Sequence, residues 1–147
     1  MFKTVLWATD GSAAAERALL VARSIAQAYG AKLIGIYVSD IVAGSPGAIL
    51  AAQESTDAIK AAVHRKVEGL KLDGVAVEFA SVEMTVRGTA DAIAQFARDE
   101  DADLIVAGTR GNSRLVRVLV GSVTRRLLEL APCPVLAVPP ADEDIEP

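Results

Sequence analysis

The sequence predicts an α/β domain: a five-stranded, open, parallel sheet in the order 3-2-1-4-5, with helices on both faces. Three observations carry this prediction. Five short apolar runs alternate with four segments of helical periodicity, giving β-α-β-α-β-α-β-α-β. Parallel strands joined by right-handed crossovers need helices over both faces. The 147 residues show no internal repeat and suit one domain with its own core.

The first strand covers residues 3–9, KTVLWAT, an apolar run that stops at Asp10-Gly11-Ser12. The first helix, 13–29, lines up Ala15, Leu19, Ala22, Ala26 and Tyr29 on one face, and Gly30 stops it. The second strand is KLIGIYV, 32–38. Residues 39–50, SDIVAGSPGAIL, read as a connection rich in small residues, Gly, Pro and Ser. A second helix is expected over about 56–70, with Ile59, Val63, Val67 and Leu70 inward. The third strand, 75–82, alternates in a way that suits a sheet edge. Thr89 is expected to cap the third helix, with Ile93, Phe96 and Ala97 facing the sheet. ADLIVAG, 102–108, is apolar enough for a central strand. The fourth helix starts at Gly121-Ser122 and runs to about Ala131, and CPVLAVP, 133–139, is the last strand. The domain spans 1–140, and 141–147 forms a short acidic tail.

Composition excludes several classes of function. A hydrophobic share of 52% with 23% charged residues describes a folded chain rather than a disordered one. A net charge of −4 and 4% aromatic residues argue against nucleic acid as a partner. No apolar run approaches the ~18 residues of a membrane span, and the first residues carry no cleavage pattern. One cysteine, Cys133, excludes a disulfide framework and a Cys-rich zinc site; it reads as a small buried residue opening the last strand. His64 is the lone histidine, at the edge of a helix face, and supports no Ser-His-Asp arrangement. These features place the chain in a reducing, cytoplasmic setting.

Chemistry concentrates where the topology does. In a 3-2-1-4-5 sheet, strands 1 and 4 lie side by side, and ligands bind beyond their carboxyl ends. Two loops meet there, TDGS after strand 1 and GTRGNS after strand 4. Glycines admit close backbone approach and positive φ, and runs of N–H groups form anion-binding nests. The helix opening at Gly121-Ser122 turns its unpaired N–H groups and the positive end of its dipole outward, a place for phosphate. Five arginines between Arg110 and Arg126 make this stretch locally basic. Neither G-x-x-x-x-G-K-[ST] nor G-x-G-x-x-G after strand 1 is present. The bland reading is equally weighted by spacing alone: Gly108 and Gly111 shape a loop, Ser122 caps a helix, and Asp10 makes a turn.

Gly108-x2-Gly111-x9-Gly121-Ser122, together with VLWATDGS, ADLIVAGTRG and GSVTRRLLELAPCPVLAVP, resembles the ATP-binding universal stress proteins over nearly the whole chain. Residues 39–54 depart from that pattern. The resemblance implies a Rossmann-like fold and an adenine-nucleotide site. In it Ala8, Thr9 and Asp10 end the first strand, with Asp10 at the ribose or phosphate side. Val38 meets adenine through its backbone, and Ala107 offers its carbonyl to the ribose. Gly108, Arg110, Gly111, Gly121, Ser122 and Val123 line the phosphates. The implied ligand is ATP, or AMP or ADP, with Mg²⁺ or Mn²⁺ held by the phosphates and no protein metal ligands. No catalytic residue is assigned: Asp10 is the sole acid in the site and has another role, so any hydrolysis should be slow. The role implied is a regulatory, stress-linked one. The family also implies a homodimer through the last strand, Pro134–Val138. The competing class is a nucleotide-independent dimeric interaction module of the same fold.

Overall fold

The computed structural model describes residues 1–41, 43–109 and 120–141. Its elements in chain order are β1 (Thr4–Thr9), α1 (Ala13–Tyr29), β2 (Lys32–Ser39), α2 (Pro46–Leu72), β3 (Val77–Glu83), α3 (Thr89–Asp99), β4 (Leu104–Gly108), α4 (Ser122–Leu130) and β5 (Val135–Val138). The sheet order is β3-β2-β1-β4-β5 and every pairing is parallel, as expected. β1 pairs with both β2 and β4, so the chain reverses its direction of travel across the sheet there. The edge placement of β3 and the interior placement of β4 also agree with their patterns.

Alternation along β1 divides the core in two. Val5 and Trp7 face α1 and α2, joined by Ala18, Ala22, Leu33, Val63 and Val67. Leu6 and Ala8 face the opposite layer, where Ile93 and Ala97 of α3 and Leu127 of α4 pack with Ile34 and Ile36. A period of two in the strands thus serves both helical layers. Trp7 is 1% exposed, and its indole N–H donates to the Ala15 carbonyl at 2.8 Å. Directly across the ladder from it stands Gly35. A Cβ at position 35 would lie 3.0 Å from the indole Cε3, so the absence of a side chain makes room for the ring. Asp103 ties β1 to β4 at their starts. Its Oδ2 accepts from the Lys3 and Thr4 N–H groups at 2.7 and 2.9 Å, and its own N–H donates to the Thr4 carbonyl at 2.9 Å. Those two backbone bonds hold its carboxyl below the usual range.

Several boundaries differ from expectation. α2 begins at Pro46, ten residues before the expected Thr56. Ser45 caps it by accepting from the Ala48 N–H at 3.3 Å, and Pro46 takes a first-turn position that needs no N–H. Residues 46–58 include no fully buried side chain, and only Ile49, Ala52 and Thr56 are partly buried, so the apolar stripe by which a helix is read is weak. Thr89 is not a cap: Gly88, at φ 105°, precedes the helix without a side-chain bond, and Thr89 is its first residue. β3 starts at Val77 rather than 75, because the Val75 N–H is still bonded to the Leu70 carbonyl. Tyr29, placed on the inner face of α1, is half exposed and meets Phe2 edge-on. Gly30 ends α1 in the left-handed region, as expected. Cys133 is half-buried rather than buried, and burial raises its thiol pKa. His64 is exposed, with Nε2 3.9 Å from the Glu68 carboxylate. Residues 142–147 of the acidic tail lie outside the described residues.

Candidate functional site

A cavity of about 370 Å³ opens beyond the carboxyl ends of β1, β2 and β4. Nine of the eleven residues expected at the site line it: Ala8, Thr9, Asp10, Val38, Ala107, Gly108, Gly121, Ser122 and Val123. Arg110 and Gly111 lie outside the described residues. Sequence reasoning missed Ser12, Ala15, Thr89, Ile93, Thr124 and Leu127, which also line the cavity. Ile93 and Leu127 supply an apolar wall from the α3/α4 layer. The apolar spacing of Ile93 marks only which face of α3 turns inward, and no local signal says that this face ends at an opening.

The loop after β1 is held by its own side chains. The Thr9 hydroxyl accepts from the Gly11 N–H at 3.1 Å, and Asp10 Oδ1 accepts from the Ser12 N–H at 2.9 Å. The Ser12 hydroxyl in turn caps α1 by accepting from the Ala15 N–H at 3.3 Å. Gly11 has φ +81°, a conformation that L side chains rarely adopt. Asp10 therefore does make the turn that its bland reading required. Its carboxylate also borders the cavity, so the turn positions it there.

The opposite wall is built from β4 and α4. Gly121 precedes α4 with φ −59° and ψ 158° and gives the helix no side-chain cap. The first N–H groups of a helix have no partner within it, and the helix dipole adds positive potential at the same end. Ser122 and Val123 are exposed there. Thr124 is 5% exposed, and its hydroxyl donates to the Gly108 carbonyl at 2.8 Å, fastening α4 to the end of β4. Gly121 N–H donates to the Thr109 carbonyl at 2.6 Å, and Thr109 N–H donates to Val138 at 2.9 Å.

Two glycines of the site do not serve positive φ. Gly108 and Gly121 both lie outside the left-handed region. A Cβ on Gly108 would meet Ala14 Cβ at 3.1 Å and the Ala14 backbone C and O at 3.2 Å. The close approach at Gly108 is thus to α1. On the third wall, the β1–β2 ladder ends at Thr9↔Tyr37, and β2 runs on to Ser39 along β3. Val38 is left at the cavity rim, beyond the cover of β1.

Among the described residues no cluster of three His, Cys, Asp or Glu side chains could hold a metal ion. No helix among them is long and apolar enough to cross a membrane.

Comparison with known proteins gives a consistent picture. The model of the universal stress protein family matches residues 1–139. A universal stress protein of Thermus aquaticus is 39% identical over 139 residues, covering 94% of this chain and 99% of that one. Among solved structures, UspA of Lactobacillus plantarum superimposes with a TM-score of 0.76 at 26% identity, covering 93% and 97% of the two chains. A universal stress protein solved in complex with cAMP is 30% identical, with a TM-score of 0.61 and coverage of 95% and 98%.

Proposed function

The chain belongs to the universal stress protein family, and from that membership we propose that it binds an adenine nucleotide, foremost ATP, in a regulatory role in the stress response. The observation that carries the reading is the cavity where β1 and β4 end side by side, with the uncapped start of α4 in its wall. Its volume of about 370 Å³ falls within the ~300–1,000 Å³ usual for small-molecule sites. In this reading the triphosphate lies against Gly108, Gly121, Ser122 and Val123, and is bound by backbone N–H groups rather than by a lysine. Arg110 and Gly111 extend the same phosphate site. Ala8 and Thr9 line the cavity beside the nucleotide, Asp10 reaches its ribose or phosphate side, and the Ala107 carbonyl accepts from the ribose. Val38 meets the adenine through its backbone, with Ile93 and Leu127 as apolar support. Mg²⁺ or Mn²⁺ would enter on the phosphates. The cAMP complex of a 30% identical relative supports the nucleotide class but not the number of phosphates.

The test is calorimetric titration with ATP, AMP and cAMP, after mass spectrometry of any ligand released by denaturing the purified protein. Gly121→Val places a branched side chain where the phosphate backbone would come closest. The φ of −59° suits valine, so the variant should fold. ATP affinity should fall by ~10-fold or more, on the order of 1.4 kcal/mol. Unchanged affinity in the folded variant removes the proposal.

One observation favours the competing reading, an interaction module that binds no nucleotide. Gly108 is accounted for by Ala14, and Thr124 is accounted for by Gly108, without any ligand. The released-ligand experiment separates the two. In both readings we propose a homodimer through Pro134–Val138. β5 is an outer strand, and Leu136 on it is 38% exposed. Light scattering should give twice the chain mass at micromolar concentration. The single cysteine suits a reducing compartment, so the proposed location is the cytoplasm.

A further inference from the structure

On the outer face of the α1/α2 layer lies a broad groove of about 1010 Å³. Two leucines stand open in it, Leu20 on α1 at 63% exposure and Leu72 at the end of α2 at 89%. Three cations surround them: Arg17, Arg23 and Lys66. Lys66 is paired with Glu16, and Arg23 with Asp73 at 3.4 Å. Arg17 has no carboxylate partner among the described residues. The groove is therefore apolar along its middle with one cation left over.

The chain itself returns to this groove. Ala141, the last described residue, lines it together with Arg17 and Leu20. The residues that follow are Asp142, Glu143, Asp144, Ile145, Glu146 and Pro147, four acids around one large apolar side chain. They fall beyond residues 1–139, which the family model matches. Six extended residues reach ~20 Å. The stretch of α1 from Ala13 to Arg23, both in the groove, rises about 15 Å at ~1.5 Å per residue. The segment is long enough to cross the groove and has the charge and the apolar residue to match it.

We propose that residues 142–147 dock in this groove of their own molecule, with Ile145 covering Leu20 and Leu72 and the first acids meeting Arg17. Covering two exposed leucines removes apolar surface from water. The charge contribution acts at close range and is weakened by salt, since screening sets in over ~10 Å at 0.1 M. The docked segment covers exposed apolar surface on the α1/α2 face, and the groove shares no lining residue with the cavity beyond β1 and β4.

Site-directed cross-linking tests the proposal directly. In a Cys133→Ser background, Leu72→Cys combined with Ile145→Cys should form an intramolecular disulfide under mild oxidation at low micromolar concentration. The yield should exceed at least tenfold that of Val86→Cys with Ile145→Cys, because Val86 is fully exposed on the turn before α3. A yield no higher than this control overturns the proposal, as does a disulfide formed only between molecules, which would make a second copy the occupant. Removal of residues 142–147 should also shift the amide resonances of Arg17, Leu20 and Leu72 in labelled protein. Ile145→Ser should reproduce part of that shift, and unchanged resonances in the truncated chain would equally overturn docking. Neither measurement involves nucleotide, so both stand apart from the fate of the proposed function.

Discussion

Replacing Gly108 by alanine puts a methyl group where α1 already stands. The new Cβ would lie 3.1 Å from Ala14 Cβ and 3.2 Å from Ala14 C and O. Carbon atoms prefer about 3.5–4.0 Å, so one element must yield by several tenths of an ångström. Neither yields easily. Two of the three crowded atoms are α1 backbone, next to the Ser12 cap. On the β4 side, the Gly108 carbonyl is bonded to Thr124 and the following N–H to Val138. Overpacking of this kind costs ~1–3 kcal/mol, and a Gly→Ala change recovers ~0.4–1 kcal/mol from the unfolded chain. The net expectation is a loss of about 1–2 kcal/mol. Urea unfolding followed by the fluorescence of Trp7, the one tryptophan, would show the midpoint falling by roughly 1 M at the usual ~1–3 kcal/mol/M. Ala14→Gly removes one of the three contacts at its own cost of ~1 kcal/mol in a helix. In the double variant the two losses should therefore sum to less than their separate values, by ~0.5–1 kcal/mol. A Gly108→Ala protein as stable as its parent to within ~0.3 kcal/mol, with no coupling to position 14, would refute the close-approach reasoning. It would return Gly108 to the ligand as its sole explanation.

Gly35→Ala crowds the indole of Trp7 at 3.0 and 3.3 Å, and a loss of ~1–3 kcal/mol with an altered tryptophan emission is expected; an unchanged unfolding midpoint and spectrum would contradict it. Thr124→Val should cost ~1–2 kcal/mol by leaving the Gly108 carbonyl without its hydroxyl donor, measured by the same denaturation. Asp103→Ala should destabilise the chain at neutral pH, because the lost carboxylate accepts from Lys3 and Thr4. A carboxyl held low in the folded state favours folding only while it is ionised. The gap between parent and variant should therefore be full above about pH 4, the unfolded carboxyl range, and close as pH falls through the lowered folded value. A gap that persists unchanged through that acid range would show that charge has no part in it.

Much of the sheet was readable because each strand carries its burial in its own letters. The Val-Leu-Trp-Ala run of β1 and the Leu-Ile-Val-Ala run of β4 are apolar on both faces, as interior parallel strands must be. The start of α2 was hidden for the converse reason. Residues 46–58 form helix while only Ile49, Ala52 and Thr56 are partly buried, so the periodic signal is weak, although Ser45-Pro46 is a cap-and-proline start that the composition of the segment masked. At the cavity, Asp10 was legible with its turn, whereas Gly108 was legible as a residue type but its cause was not. That Gly108 faces Ala14, some ninety positions earlier, depends on how α1 lies across β4, and no local pattern encodes that distance. Thr124 was passed over for the same reason, since its partner is a carbonyl sixteen residues away. Thr89 was read as a cap because its type suits one, yet Gly88 fills the place and frees Thr89 to border the cavity.

The bond from the Gly121 N–H to the Thr109 carbonyl joins two residues that stand twelve positions apart in the chain. With Thr109 bonded to β5 and Thr124 to β4, both junctions are anchored to the sheet. The pair therefore acts as a splice point. Doubling the length of sequence between anchored ends adds only ~0.6 kcal/mol of closure entropy, so a longer connection between these junctions should cost the fold little, while the proposed phosphate site, to which Arg110 and Gly111 belong, would feel it directly.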